Sequence, residues 1–217
     1  DLEDIYLKKN KILDGVKKNT IIVDHTTASL NISIKLFKKF RSKQAFFFDA
    51  PVSGGEIGAQ KGNLAIMVGG ERNKFEVLKK SLDCYYKSMI YMGKSGNGQL
   101  TKMVNQICVA SIIQGLAEGL NFAKKKKLNV ENLLEVIQNG AAQSWQLENR
   151  SITMWNNKFN FGFMNKLMLK DLKILLNESN ISNIKLPITK RIKDFYTKLI
   201  KKGYSKEDTS NLIRLLK

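Results

Sequence analysis

Cysteine, proline and histidine are scarce in this 217-residue sequence, and each scarcity excludes something. Its two cysteines, Cys84 and Cys108, form neither a CxxC pair nor a metal-ligand spacing, so we expect no disulfide framework and no metal site. A reduced, cytoplasmic setting is the simpler expectation. Two prolines leave room for long helices. The one histidine, His25, has no acidic partner near it in sequence, so we expect a structural or peripheral role and not that of a catalytic base.

Long apolar runs and a clustered basic face are lacking as well. No stretch approaches the roughly 18 apolar residues that suggest a membrane span, because polar side chains interrupt the longest candidate, residues 103–117. The formal net charge is +18, but the lysines are spread along the chain and arginine is scarce. Nucleic-acid recognition favours a basic face or interleaved aromatic residues. We therefore expect no nucleic acid and no membrane among the partners.

The first part of the chain alternates strand and helix patterns. Buried strands are predicted at residues 20–24, 45–49, 64–68 and 88–92, with helices at 29–41 and 71–82. Such alternation is typical of an α/β layered fold. After Gly98 the pattern is helical, with helices near residues 99–126, 130–139, 143–155, 164–180, 187–202 and 206–216. The expected fold class is α/β followed by all-α, with domains at residues 1–95 and 96–217.

One glycine-rich stretch imitates a dinucleotide-binding fingerprint. Gly96 and Gly98 follow a predicted strand and open a helix, with Glu118 about 20 residues later, as the Rossmann motif requires. The third glycine is replaced by Thr101, however, and the helix continues past Glu118, where a second strand should lie. We do not interpret this stretch as a pyrophosphate site, and no other GxGxxG motif is present in the sequence.

Three polar side chains share a stripe at the start of the long helix. Lys102, Asn105 and Gln106 are spaced i, i+3 and i+4, and the residues around them are apolar. Burying such groups costs free energy unless they face something polar. They could line a cleft in which the lysine exchanges a proton with a substrate oxygen. The alternative is a helix start whose polar stripe faces solvent.

A short loop after the second strand offers groups for an anion. Ser53 supplies a hydroxyl, and Gly54 and Gly55 supply backbone amides that no side chain shields. Such a loop suits a carboxylate. An ordinary tight turn after Pro51 is the alternative, since it has the same composition.

Two further segments carry polar residues. Asp24, Thr26 and Thr27 lie at the carboxyl end of the first predicted strand, the end at which open α/β sheets bind ligands. Lys170 and Asp171 lie on a later helix, and on their own they are typical of a solvated ion pair.

In this order, the four segments resemble the 3-hydroxyisobutyrate dehydrogenase family, also called the β-hydroxyacid dehydrogenases. The series is Asp-x-Thr-Thr, then DAPVSGG with a GxLxxMVGG strand, then GxGQxxKxxNQ, and finally a phenylalanine seven residues before KDL. It extends from about residue 20 to residue 212. The Asn-Gln pair after the lysine is similar to tartronate semialdehyde reductases.

The resemblance implies an oxidoreductase that uses NAD or NADP. Its substrate would be a small carboxylate-bearing 3-hydroxy acid, interconverted with the semialdehyde or keto acid. The architecture implied is a Rossmann-type domain, here incomplete, joined by a long helix to a 6-phosphogluconate dehydrogenase-like helical domain, in a homo-oligomer. Lys102 would be the general acid/base. The implied substrate-binding residues are Ser53, Gly54, Gly55, Asn105 and Gln106, and the implied cofactor-binding residues are Thr26, Thr27, Phe163 and Lys170.

The sequence departs from the family at one point. Family members open with a GxGxxG-bearing β-α-β unit that this sequence lacks, so we expect the chain as given to bind the cofactor poorly. An alternative is a catalytically inactive dehydrogenase-like module retained for interaction or dimerisation. The intact motif around Lys102 argues against it. A nucleic-acid-associated relative that exploits the charge of +18 is a third class, and a salt-dependent affinity for DNA would reveal it.

Overall fold

The computed structural model describes residues 2–216, and the chain divides into two units, Asp1–Val104 and Asn105–Lys217. The first unit contains a five-stranded sheet. Its elements are α1 (Leu2–Leu7), α2 (Ile12–Gly15), β1 (Ile21–Asp24), α3 (Leu30–Ser42), β2 (Phe46–Asp49), β3 (Val52–Ser53), α4 (Gly55–Gln60), β4 (Leu64–Gly69), α5 (Arg72–Ser81) and β5 (Tyr86–Gly93).

The sheet mixes parallel and antiparallel pairs. Strand β1 runs parallel to β2, from the Ile21–Phe46 pair to the Asp24–Asp49 pair, and β4 runs parallel to β5. Strands β2 and β3 both run antiparallel to β4. Between β2 and β3 the strand is interrupted at Pro51, because proline has no amide hydrogen to donate to a neighbouring strand.

Strand β2 is covered on both of its faces. Side chains of neighbouring strand residues point to opposite faces, and Phe47 and Phe48 accordingly enter two different cores. Phe47 packs with Tyr6, Leu36 and Phe40, and its ring stacks on Phe40 with 5.6 Å between centroids. Phe48 packs with residues of β4, α5 and β5. A sheet with helices on both faces is the layered arrangement that the strand and helix pattern predicts.

The second unit is helical. Its elements are the remainder of α6 (Asn97–Lys125), then α7 (Val130–Gln138), α8 (Trp145–Trp155), α9 (Asn165–Ile181), α10 (Pro187–Lys201) and a C-terminal 3₁₀ helix (Thr209–Leu216). The Asn129 and Ser144 side chains cap the starts of α7 and α8 by accepting backbone hydrogen bonds. Helix α10 begins with Pro187 in its first turn, where the missing amide hydrogen costs nothing.

Helix α6 crosses the division between the units. Its residues as far as Val104 belong to the first unit, and the predicted boundary between residues 95 and 96 stays a prediction. By length and composition alone, α6 could cross a membrane, and 39% of its most apolar window is buried. Core helices of other proteins meet the same criteria.

The four predicted strands and the predicted fold class are confirmed. Three departures have physical reasons. The C-terminal segment forms a 3₁₀ helix and not an α-helix, and Asp208 just before it binds the amide and hydroxyl of Ser210. The short elements β3 and α4 lie within the loop that the sequence marks as a turn, and α1 and α2, of six and four residues, are too short for an apolar spacing to repeat.

Candidate active site

The first turns of α6 hold the loop that follows β1. The Gln99 side chain donates from Nε2 to the Thr26 carbonyl (2.8 Å) and accepts at Oε1 from the Ala28 amide (2.9 Å). The buried Asp24 carboxylate accepts from the Thr26 amide at 2.8 Å. Thr26 is exposed and Thr27 half-buried, so this fixed backbone presents a hydroxyl at the carboxyl end of the strand.

Asp49, the last residue of β2, anchors the start of α6. Its carboxylate accepts from the Gly96 amide (2.7 Å), the Gln99 amide (3.1 Å) and the Ser95 hydroxyl (3.2 Å). Burial raises the pKa of this carboxyl to about 6, and the hydrogen bonds that it accepts oppose the rise. Sequence reasoning missed Asp49 as an organising residue, although it opens the DAPVSGG motif.

Glycines make this close approach possible. A Cβ added at Gly98 would lie 2.5 Å from the carbonyl oxygens of Asp49 and Met67, and one added at Gly69 would lie 2.7 Å from the Asp49 carboxylate. The glycines of the sequence that imitates a dinucleotide fingerprint therefore have a packing role, because they let α6 begin directly against the ends of β2 and β4.

The predicted anion-binding loop has the backbone of a sharp turn. Ser53 ends β3 and is half-buried, whereas Gly54 and Gly55 are exposed. Gly54 has φ = +133° and Gly55 has φ = +62°. Residues that carry a Cβ rarely adopt such angles. This turn leads directly into α4. Its backbone geometry is that of a tight turn, and the binding of a carboxylate by this loop stays a prediction.

Lys102 is buried on α6 with 7% of its surface exposed, and Gln106 on the same stripe is 3% exposed. The alternative of a polar stripe facing solvent is therefore wrong for these two residues. A buried ammonium or amide is retained only where polar groups compensate for lost hydration. The two residues are therefore buried polar groups on one stripe of α6.

In the second unit, Gln106 joins α6 to α9. Its Nε2 donates to the Asp171 carboxylate at 2.7 Å, and its Oε1 accepts from Asn105 Nδ2 at 2.9 Å. Lys170 Nζ lies 3.1 Å from Asp171, with the lysine side chain 44% exposed and the aspartate side chain 3% exposed. The interpretation of this pair as merely solvated is thus wrong for Asp171, which sequence reasoning did not include among the site residues.

The segment before α9 is fixed by the C-terminal 3₁₀ region. The Phe163 amide donates to Asp208 (2.9 Å), and the Phe163 carbonyl accepts from the Thr209 amide (2.9 Å). Asp208 is 1% exposed and lies 3.3 Å from Arg150 Nε. Gly162 has φ = +73° and packs directly on Asp208. Phe163 therefore lies just before the start of α9, in a segment fixed by Asp208 and Thr209, and Lys170 lies within the helix.

An α/β sheet followed by an all-helical unit is the architecture of the nicotinamide-dependent dehydrogenases of hydroxy acids, and two family models assign the chain to that class. Residues 96–216 match a family model described as NAD-binding of NADP-dependent 3-hydroxyisobutyrate dehydrogenase. Residues 1–93 match the NAD binding domain of 6-phosphogluconate dehydrogenase. The chain belongs to the 3-hydroxyisobutyrate dehydrogenase family.

Individual relatives agree with this placement. An uncharacterized oxidoreductase of Shewanella frigidimarina is 42% identical over 100% of this chain and 74% of its own length. A Mycobacterium tuberculosis 3-hydroxyisobutyrate dehydrogenase, solved with L-serine, is 27% identical, with a TM-score of 0.86 over 95% of this chain and 73% of that one. A 3-hydroxyisobutyrate dehydrogenase from Salmonella typhimurium is similar in fold, with a TM-score of 0.88 at 22% identity over 99% of this chain and 75% of that one.

NAD or NADP is therefore the cofactor of this oxidoreductase, and the described residues fit one end of it. The hydroxyls of Thr26 and Thr27 at the carboxyl end of β1 suit the polar edge of a nicotinamide or ribose. In Rossmann-type domains the pyrophosphate is held by a glycine-rich turn between a strand and a helix. Residues 24–29, which join β1 to α3, contain no glycine, so within residues 2–216 this connection does not fit a pyrophosphate.

Proposed function

We propose that this chain interconverts a short 3-hydroxy acid and its semialdehyde or keto acid, with Lys102 as the general acid/base. The burial of Lys102, 7% exposed within GxGQxxKxxNQ, carries the proposal. When bound, the nicotinamide supplies hydride transfer. In oxidation, the neutral Lys102 amine takes the proton of the substrate hydroxyl. In reduction, the Lys102 ammonium gives a proton to the oxygen of the former carbonyl group.

Ser53, Gly54 and Gly55 hold the substrate carboxylate in this proposal. The positive φ angles of the two glycines turn the backbone sharply beside the Ser53 hydroxyl. An exposed turn of this kind places hydrogen-bond donors near one another, and a carboxylate accepts several such bonds.

Asn105 and Gln106 orient the reacting end of the substrate. Gln106 is committed to Asp171 and to Asn105 by its two hydrogen bonds, so the Asn105 amide is held in one rotation. Because Asn105 donates from Nδ2 to Gln106, its carbonyl oxygen is the atom that meets a substrate hydroxyl. Gln106 and Asp171 act as positioning residues behind it.

On the cofactor side, Thr26 and Thr27 contact the nicotinamide ribose, and Phe163 and Lys170 contribute from the second unit. The support is the fixation of both backbones, by Gln99 at Thr26 and by Asp208 at Phe163. Fixed backbones keep the cost of ordering these groups on ligand binding low.

The test is oxidation of NADH and NADPH with a panel of small semialdehydes. The 217-residue chain and the same chain with any residues that precede it in its gene are compared with Lys102→Met, which keeps the apolar stem. We expect turnover to fall about 10²- to 10⁴-fold in Lys102→Met. Lys126→Ala, at an exposed position on the chain, is the control and should retain full activity. If the protein that includes the preceding residues is folded but turns over none of the semialdehydes, the proposal is refuted.

A further inference from the structure

His25, which the proposed reaction does not use, makes two well-defined hydrogen bonds in the first unit. Its Nδ1 lies 2.6 Å from the Ala50 carbonyl oxygen, and its Nε2 lies 2.8 Å from the Tyr85 hydroxyl. The His25 and Tyr85 rings meet edge to face at 5.7 Å between centroids. The His25 ring thus links the end of β1, the loop after β2 and the residue before β5.

The partners determine the protonation of the neutral ring. A carbonyl oxygen can only accept a hydrogen bond, so Nδ1 carries the proton and donates it to Ala50. In the neutral ring, Nε2 then has a lone pair and accepts from the Tyr85 hydroxyl. The Ala50 carbonyl therefore fixes the tautomer, and the Tyr85 hydroxyl donates to the lone pair that this tautomer leaves on Nε2.

Ala50 is fully buried, and both polar groups of its backbone bind the end of β1. Its amide donates to the Asp24 carbonyl at 2.8 Å, and its carbonyl accepts from His25. A buried carbonyl that loses its donor pays the cost of desolvation, and the backbone moves to recover a partner. Next along the chain, the Pro51 carbonyl accepts from Met67 in β4 at 3.1 Å. His25 and β4 therefore restrain successive residues of the same loop.

The restrained loop lies directly before the turn that is proposed to bind the substrate carboxylate. Ala50 precedes Ser53 by three positions, and His25 directly precedes Thr26 in the loop proposed to meet the cofactor. The imidazole thus adds a side-chain bond between these two loops to the backbone bond from the Ala50 amide to the Asp24 carbonyl. A shift of the Ala50 carbonyl displaces the Ser53 hydroxyl and the following glycine amides, whereas Lys102 on α6 is not attached to this loop through His25.

We propose that His25, oriented by Tyr85, is a positioning residue for substrate carboxylate binding, acting through its hydrogen bond to the Ala50 carbonyl. The inference rests on the proposed function. Its effect is on the affinity for the hydroxy acid and not on proton transfer, because His25 touches neither the Ser53 hydroxyl nor Lys102 in this role.

The test compares two amide substitutions of similar polarity. Asparagine places its side-chain nitrogen near the position of imidazole Nδ1, and glutamine near that of Nε2. We expect His25→Asn to keep KM for the hydroxy acid within about twofold of the parent, and His25→Gln to raise it about tenfold, with kcat within about twofold in both. Tyr85→Phe, which leaves the Ala50 bond in place, should raise KM less than His25→Gln does. Equal KM values for the Asn and Gln variants, or a fall in kcat matching the rise in KM, would overturn the inference.

A spectroscopic measurement tests the geometry without turnover. Since His25 is the only histidine, its ring nitrogens give a single set of ¹⁵N signals in the folded protein. We expect the neutral ring to carry its proton on Nδ1 in both the parent and Tyr85→Phe, because the Ala50 carbonyl can accept a hydrogen bond from Nδ1 in both proteins. A neutral ring protonated on Nε2 in the parent overturns the inference. If the parent shows the Nδ1–H form but no hydroxy acid turnover, the proposed function has failed and the positioning role falls with it. If the parent turns over and the Asn and Gln variants match, only the positioning role has failed.

Discussion

Asp49 should make the stability of the protein depend on pH in an unusual direction. Burial raises the pKa of its carboxyl from the ordinary value of 3.8 to about 6. The folded state therefore binds a proton more tightly than the unfolded state, and between about pH 4 and pH 6 folding takes up a proton. As the pH falls through this window, Asp49 contributes increasing stability to the folded state, the reverse of the behaviour of a salt-bridged carboxylate.

The magnitude follows from the shift. A rise from 3.8 to about 6 is roughly two pKa units, and at 1.36 kcal/mol per unit it corresponds to about 3 kcal/mol. Asp49→Asn has no proton to bind, so the free energy of unfolding of the parent should rise relative to that variant by roughly 2 kcal/mol between pH 7 and pH 4, the remainder of the difference appearing only below the unfolded pKa. Other titrating groups cancel in this difference.

The assay is urea unfolding of both proteins at intervals from pH 4 to pH 7.5, followed by circular dichroism. Asp83→Asn, at an exposed position, is the control, and its curve should run nearly parallel to that of the parent. A parent that loses stability relative to Asp49→Asn as the pH falls would refute the reasoning. It would mean that the hydrogen bonds from the start of α6 outweigh burial and lower the pKa of Asp49.

Three further substitutions test the packing described above. Gly98→Ala places a Cβ 2.5 Å from two carbonyl oxygens and should lower the free energy of unfolding, measured by thermal unfolding, by about 3 kcal/mol or more. Gly115→Ala, whose added Cβ has nothing within 4 Å, is the control and should be neutral or slightly stabilising. Equal effects of the two substitutions would contradict the packing role of Gly98. Gln99→Ala leaves a carbonyl and an amide without their donor and acceptor, so it should cost about 1–3 kcal/mol and raise KM for NAD(P)H more than it lowers kcat; an unchanged KM would contradict this. Asp208→Ala leaves Arg150, whose side chain is 11% exposed, without its carboxylate and should cost about 3–5 kcal/mol by urea unfolding, and a loss below about 1 kcal/mol would show that the pair adds little.

Much of the fold was predictable because its signals are local. The buried strands and the amphipathic helices follow from runs and spacings of apolar residues, and the site segments follow from four motifs that match a family in order. Strand β3 and helix α4 could not be predicted in this way, since with two and six residues they are too short for an apolar spacing to repeat. Asp171 was missed for another reason. It appears in sequence as half of a Lys-Asp pair, and only its contact with Gln106, 65 positions earlier, shows that the carboxylate is buried.

The partners of His25 were likewise out of reach of sequence reasoning. An acidic neighbour was the expected sign of a working histidine, and the residues that the ring binds are a backbone carbonyl and a tyrosine 60 positions away. A carbonyl has no signature in sequence. The expectation of a structural role stays a prediction, and the structure gives it two named atoms on which it can be tested.

The buried polar stripe on α6 differs from the one that sequence spacing suggested, and each of its amides holds a different segment. The buried members are Gln99, Lys102 and Gln106, exposed by 1%, 7% and 3%, and they are spaced i, i+3 and i+7 along one face of the helix. In the first unit, Gln99 holds the loop that carries Thr26. In the second unit, Gln106 holds Asp171 on α9. Lys102 lies between these two amides along the helix and is the only one of the three with a titratable side chain, which is why the proposed function assigns proton transfer to it.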